Sequence, residues 1–201
     1  MYDPQGLHRL FHESVPPQAQ RGIVRAIMSA YSLSWERCEQ WYDERLRPQA
    51  WGYLRWLQTD NELLGVGDRF GKVGKFKKNT ELTHLGHTEL HFGRLVLTAA
   101  AVQDGRGKPR RAAYRDLLAE SNQLQLFERH AKKKQIWGVI LHTPNSASHQ
   151  PLRIQVGFIA KDYNGFAAEL IDLKVIVEAM ESTDAKAAPR LRLRTDEEAG
   201  A

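Results

Sequence analysis

Residues 80–102, TELTHLGHTELHFGRLVLTAAAV, carry the strongest pattern in the chain, and their reading decides the fold class. From His87 the residues alternate. His87, Glu89 and His91 fall on one side and Thr88, Leu90 and Phe92 on the other, the period-two signature of a strand with one buried face. Past Gly93 the run Leu95, Val96, Leu97 is continuously apolar, as in a strand covered on both faces. Gly86 suits a turn between residues 80–85 and the strand, and Gly93 a bulge or a close backbone approach. The stretch reads as a hairpin followed by a core strand.

Toward the N-terminus the periodicity changes from 2 to 3.6. After a polar start expected to fray, Pro16 and Pro17 precede a helix over residues 18–31 whose apolar stripe is Ile23, Val24, Ile27 and Met28. Residues 32–34 are expected to break it. Ser34 then serves as N-cap of a second helix to about residue 46, with Trp35, Cys38, Trp41 and Tyr42 at helical spacing. A third helix is expected over residues 48–64, buried through Ala50, Trp51, Leu54 and Leu57 and closed by Gly65. Four of the five tryptophans lie in this helical part.

Between it and the hairpin lies GVGDRFGKVGKFKK, residues 65–78. The glycines and lysines invite comparison with a phosphate-binding loop, but the spacing is wrong, Val73 stands where Ser or Thr would hold magnesium, and the flanks are helix then strand. A basic connector remains. Beyond the hairpin, residues 103–111 (QDGRGKPRR) form a basic loop before a helix expected over residues 112–127. Residues 136–141 read as an apolar strand and residues 152–160 as an alternating one, joined by the polar loop HTPNSASHQP. Residues 166–180 suit either one helix or a strand leading into a short helix, and the Ala-, Lys- and Glu-rich end from residue 181 is expected to be disordered.

These elements predict an α+β protein, with a three-helix N-terminal part packed on a mostly antiparallel sheet of four to five strands and one or two further helices. The expected division is residues 1–64 helical, 65–79 connector, 80–180 α+β domain and 181–201 tail. No window approaches the roughly 18 consecutive apolar residues of a membrane helix, and the first residues lack the pattern of a secretory signal. A soluble cytoplasmic protein without membrane contact is expected. The single cysteine, Cys38, excludes an internal disulfide and a multi-cysteine zinc site.

Charge supplies the main functional clue. Residues 1–64 carry seven Lys or Arg against eight Asp or Glu, residues 65–135 fifteen against seven, and residues 136–201 seven against nine, so the net +5 arises entirely in the middle third. Lys75, Lys77, Lys78, Arg94, Arg106, Lys108, Arg110, Arg111 and Arg115 flank the hairpin, interleaved with Phe70, Phe76, Phe92 and Tyr114. That mixture suits phosphate contact and base stacking. The leading expectation is a non-catalytic DNA- or RNA-binding or regulatory protein using residues 70–115, with no cofactor. A second reading is a metal-dependent hydrolase or nuclease centred on His87, Glu89 and His91, with His84 and His142 as additions, since two imidazoles and a carboxylate suit zinc, manganese or iron. A third is a homo-oligomer or a subunit of a larger complex, joined through the tryptophan-rich helices. No familiar hydrolase, nucleophile-elbow or nuclease motif is present.

Overall fold

A computed structural model describes residues 4–70, 86–103, 107, 109, 135–145, 147–160 and 165–184 in full, and residues 74–78 and 185–187 by their backbone. Helix α1 spans Pro4–Ser14, α2 Pro17–Trp41 and α3 Arg47–Arg69. The strands are β1 Gly74–Lys78, β2 Gly86–Phe92, β3 Leu95–Ala101, β4 Ile136–Pro144, β5 Pro151–Gly157 and the two-residue β6 Ile171–Asp172, followed by helix α4, Leu173–Ala187. The expected α+β architecture is what forms. Three N-terminal helices precede one sheet in the order β1-β2-β3-β4-β5-β6, antiparallel at every step except the parallel pair β3–β4.

The helices are divided differently from expectation. Leu7 and Phe11, one turn apart, are buried, so the polar start forms α1 rather than fraying. No break occurs at residues 32–34. The Ser34 hydroxyl donates to the Tyr31 carbonyl at 2.9 Å, which satisfies the side chain inside the helix instead of at a cap. α2 therefore continues to Trp41 and ends where Tyr42 turns extended, its N–H still donating to the Cys38 carbonyl. α3 passes through Gly65 and Gly67 to Arg69. Leu57, expected inside, is 43% exposed. At the far end the alternative of a strand leading into a helix is the one realised, and α4 runs past residue 181 to Ala187.

A hairpin turns at Gly93, where the sequence suggests a bulge or close approach, and Gly86 is the first residue of β2. Phe92 pairs with Leu95, leaving Gly93 and Arg94 as a two-residue turn, and Gly93 has φ +61°, which glycine adopts without penalty. The strand antiparallel to β2 on its other side is β1, from the basic connector. Residues 79–85, and the helix expected over residues 112–127, lie outside the described residues.

One face of the sheet packs under the helices. Leu90, Phe92, Leu95, Leu97, Ile136, Ile140, Ile154, Val156 and Phe158 join Phe11, Ile23, Ile27, Tyr31 and Leu63 in the main core. The other face carries a smaller cluster of Ala100, Val102, Val139, Leu141 and Ile159. Both faces being apolar explains the unbroken runs in β3 and β4. Asp60 fastens α3 to the sheet: its Oδ1 accepts the Thr88 N–H at 2.9 Å, and its carbonyl accepts the Thr88 hydroxyl at 2.9 Å.

Candidate functional site

The sheet register decides how the basic residues are distributed. Lys75 stands opposite Glu89, Lys77 opposite His87 and Lys78 opposite Gly86, on a strand paired along one side only among the described residues. Because β2 runs antiparallel to both neighbours, the Lys78 end of β1 lies at the same end of the sheet as the exit of β3 toward residues 103–111. Arg94 sits at the opposite end, in the β2–β3 turn, where its carbonyl accepts the Ile136 N–H at 2.7 Å. Arg106, Lys108, Arg110, Arg111 and Arg115 lie outside the described residues. Phe92 is 1% exposed in the main core and has no face to offer a base, whereas Phe70 is half-buried at the end of α3.

His87, Glu89 and His91 do meet. Glu89 is 2% exposed; its Oε1 accepts from His87 Nε2 at 3.2 Å and its Oε2 from His91 Nε2 at 3.1 Å. Each imidazole directs its Nε2 at the carboxylate, and among the described residues no three His, Cys, Asp or Glu side chains are placed to hold one metal ion. His142 cannot join them. It bonds Tyr31 on the helix-covered face, whereas Glu89 alternates with the core residues Leu90 and Phe92 and so faces the other way. His84 lies outside the described residues.

His142 instead belongs to a buried cluster that no local pattern announced. Tyr31 Oη and His142 Nδ1 share a 2.8 Å hydrogen bond, and both residues are almost fully buried. Trp51 meets Tyr31, Trp35 and His149 edge-on, and the His149 ring stacks on Trp35 with centroids 3.4 Å apart. His149 holds this position with φ +52°, strained for a residue with a Cβ. The Arg55 guanidinium lies 4.4 Å from the Trp51 ring centroid and 5.0 Å from that of Tyr31, with no carboxylate at ion-pair distance among the described residues. Its charge is met by ring quadrupoles rather than by an acid. Burial lowers the Arg55 pKa from its ordinary value, with Tyr31 opposing. Burial also pushes the Tyr31 phenol well up, partly offset by Arg55.

The raised phenol gives a pH-dependent result. In the unfolded chain Tyr31 ionises near 10.0; in the fold it stays neutral to higher pH. Its contribution is therefore complete below about pH 10 and is lost as pH rises beyond that. The stability difference between wild type and Tyr31→Phe, about 1–3 kcal/mol near neutrality because His142 Nδ1 loses this partner, is expected to shrink from pH 10 upward. Urea melts of both proteins across pH 7–11 check this; a constant difference would contradict it.

Cys38 is fully buried, and burial pushes its thiol up, with Arg47 opposing, which leaves no reactive thiolate. Two surface features of the described residues bear on function. A cleft of about 450 Å³ opens between α2 and α3, lined by Arg21, Arg25, Ser29, Glu62, Arg69 and Phe70 among others. Near the α2–α3 connection, Trp41, Tyr42, Leu46, Tyr53 and Leu57 are exposed, Trp41 by 64%. No helix among the described residues is long and apolar enough to cross a membrane. No family model, curated protein or solved structure matches this chain.

Proposed function

We propose that this chain is a non-catalytic nucleic-acid-binding or regulatory protein whose contact surface comes from residues 70–115. The observation that carries the reading is the concentration of the whole positive excess in residues 65–135, with three of its lysines on the edge strand β1. Support comes from the register: the last lysine of β1 and the chain leaving β3 toward Arg106, Lys108, Arg110 and Arg111 share one end of the sheet. Arg94, at the other end, adds a separate contact or none.

Titration of labelled duplex DNA, single-stranded DNA and RNA by fluorescence anisotropy at several salt concentrations tests the reading. Micromolar or tighter binding is expected, with the log–log salt slope reduced by about two in Arg110→Ala/Arg111→Ala. No binding to any of the three at low salt would sink it.

A second reading is favoured by the exposed apolar tip. Trp41, Tyr42, Leu46, Tyr53 and Leu57 are the residue types that fill protein interfaces, and Leu46, Tyr53 and Leu57 recur at near-helical spacing along one side of α3. In that reading the helical part joins a second copy or another subunit. A monomeric mass by light scattering at micromolar concentration would remove the homo-oligomer.

A further inference from the structure

We propose that the cleft between α2 and α3 binds the phosphate groups of a nucleotide unit, and that α4 holds the site in reserve with two carboxylates. Three guanidiniums, from Arg21, Arg25 and Arg69, line one opening of about 450 Å³ against a single lining acid, Glu62. That volume falls within the range of small-molecule sites. Planar guanidinium forks match phosphate oxygens bidentately. Arg21 Nε is buried without an acceptor, and Arg69 makes no hydrogen bond or ion pair among the described residues. Phe70 lines the same opening, its ring held over Gly22, where a Cβ would come within 2.8 Å of the ring edge, and supplies a flat apolar surface for a base.

Two of the three arginines are engaged from outside. Arg21 Nη2 lies 2.6 Å from Asp184 Oδ2, and Arg25 Nη2 2.8 Å from Glu181 Oε1, both acids on α4 and both substantially exposed. The Arg25–Glu181 pair is exposed at both ends and the Arg21–Asp184 pair at its acid end; pairs open to water contribute little to stability, so a phosphate carrying more charge than one carboxylate displaces the acids. Glu181 and Asp184 then occupy the arginines in the free protein and release them to the ligand. None of the residues named for this site belongs to the basic loop after β3.

Calorimetric titration of the full chain with adenosine triphosphate, inorganic pyrophosphate and adenosine tests the assignment. The triphosphate and pyrophosphate are expected to bind and adenosine not to. Arg25→Ala and Arg69→Ala each weaken triphosphate binding about tenfold, Glu181→Gln/Asp184→Asn tightens it severalfold, and Phe70→Leu weakens the triphosphate but not pyrophosphate. Arg110→Ala/Arg111→Ala leaves triphosphate affinity unchanged, which separates this site from the nucleic-acid reading. Competition by a 5′-phosphorylated oligonucleotide but not its 5′-hydroxyl form upholds the site with a strand end as its source; competition by neither upholds it with a free nucleotide. No saturable binding at millimolar ligand overturns the proposal. So does binding indifferent to Arg25→Ala and Arg69→Ala in variants that keep the wild-type circular dichroism and melting temperature.

Discussion

Glu89→Ala is expected to lower unfolding stability by about 3 kcal/mol, two hydrogen bonds to a buried charged acceptor being lost at about 1.5 kcal/mol or more each. Both carboxylate oxygens are used, one by each flanking imidazole, on a residue 2% exposed. Truncation leaves His87 and His91, with side chains only 14% and 20% exposed, without the acceptor both face. Glu89→Gln keeps the shape and one oxygen, so it loses one acceptor and the charge, and is expected to cost less than about 2 kcal/mol. Urea denaturation at neutral pH separates the two. A cost below about 1 kcal/mol for Glu89→Ala would mean that the two histidine contacts hold nothing together, and that the polar strand face is free for another use.

Trp51→Ala is the second large effect, expected at about 3–5 kcal/mol. The indole is the hub that joins α2, α3 and the β4–β5 loop: it touches Tyr31 and Trp35 on α2, His149 in the loop, and Arg55 one turn further along its own helix. Its removal opens a cavity and withdraws one of the two rings that face the buried guanidinium. Trp51→Phe discriminates packing from hydrogen bonding. Trp51 Nε1 is buried without an acceptor, so no hydrogen bond is lost, and the cost is expected to stay within about 1–2 kcal/mol for the missing ring volume. Equal destabilisation by both substitutions would point to a partner for the indole N–H that the arrangement does not contain.

What was legible in the sequence was what repeats locally. The alternation around Glu89 placed β2, although Glu89, on the face expected to be open, is 2% exposed, and the apolar runs placed β3 and β4, because strand periodicity is a property of consecutive residues. The helix boundaries were less legible. Serines at 32 and 34 look like breakers, yet Ser34 bonds one turn back, and Gly65 looks like a terminator, yet α3 carries it. Tertiary packing decides such positions, not propensity. The Tyr31–His142 contact joins residues 111 apart, and the Arg25–Glu181 contact residues 156 apart. No spacing rule reaches across such intervals, so the buried cluster and the cleft could be found only in three dimensions. His142 was grouped with the wrong histidines for a related reason: which side of the sheet a strand turns inward is set by its pairing and not by its own pattern.

The single parallel step in the sheet has a consequence for how the chain assembles. Strands β1 to β3 form one sequence-local meander and β4 to β6 another, each closed by antiparallel neighbours. Within the sheet only the β3–β4 seam unites them, and it requires residues 102–135 to carry the chain from one end of the sheet back to the other. Closing that long interval costs entropy before any seam hydrogen bond forms. The two meanders are therefore expected to form ahead of the seam through Leu97 and Gly138, whose closure is the expected rate-limiting step. Substitutions along it should slow folding more than equally destabilising ones inside either meander, which makes the middle of the sheet, rather than its edges, the kinetic weak point of the molecule.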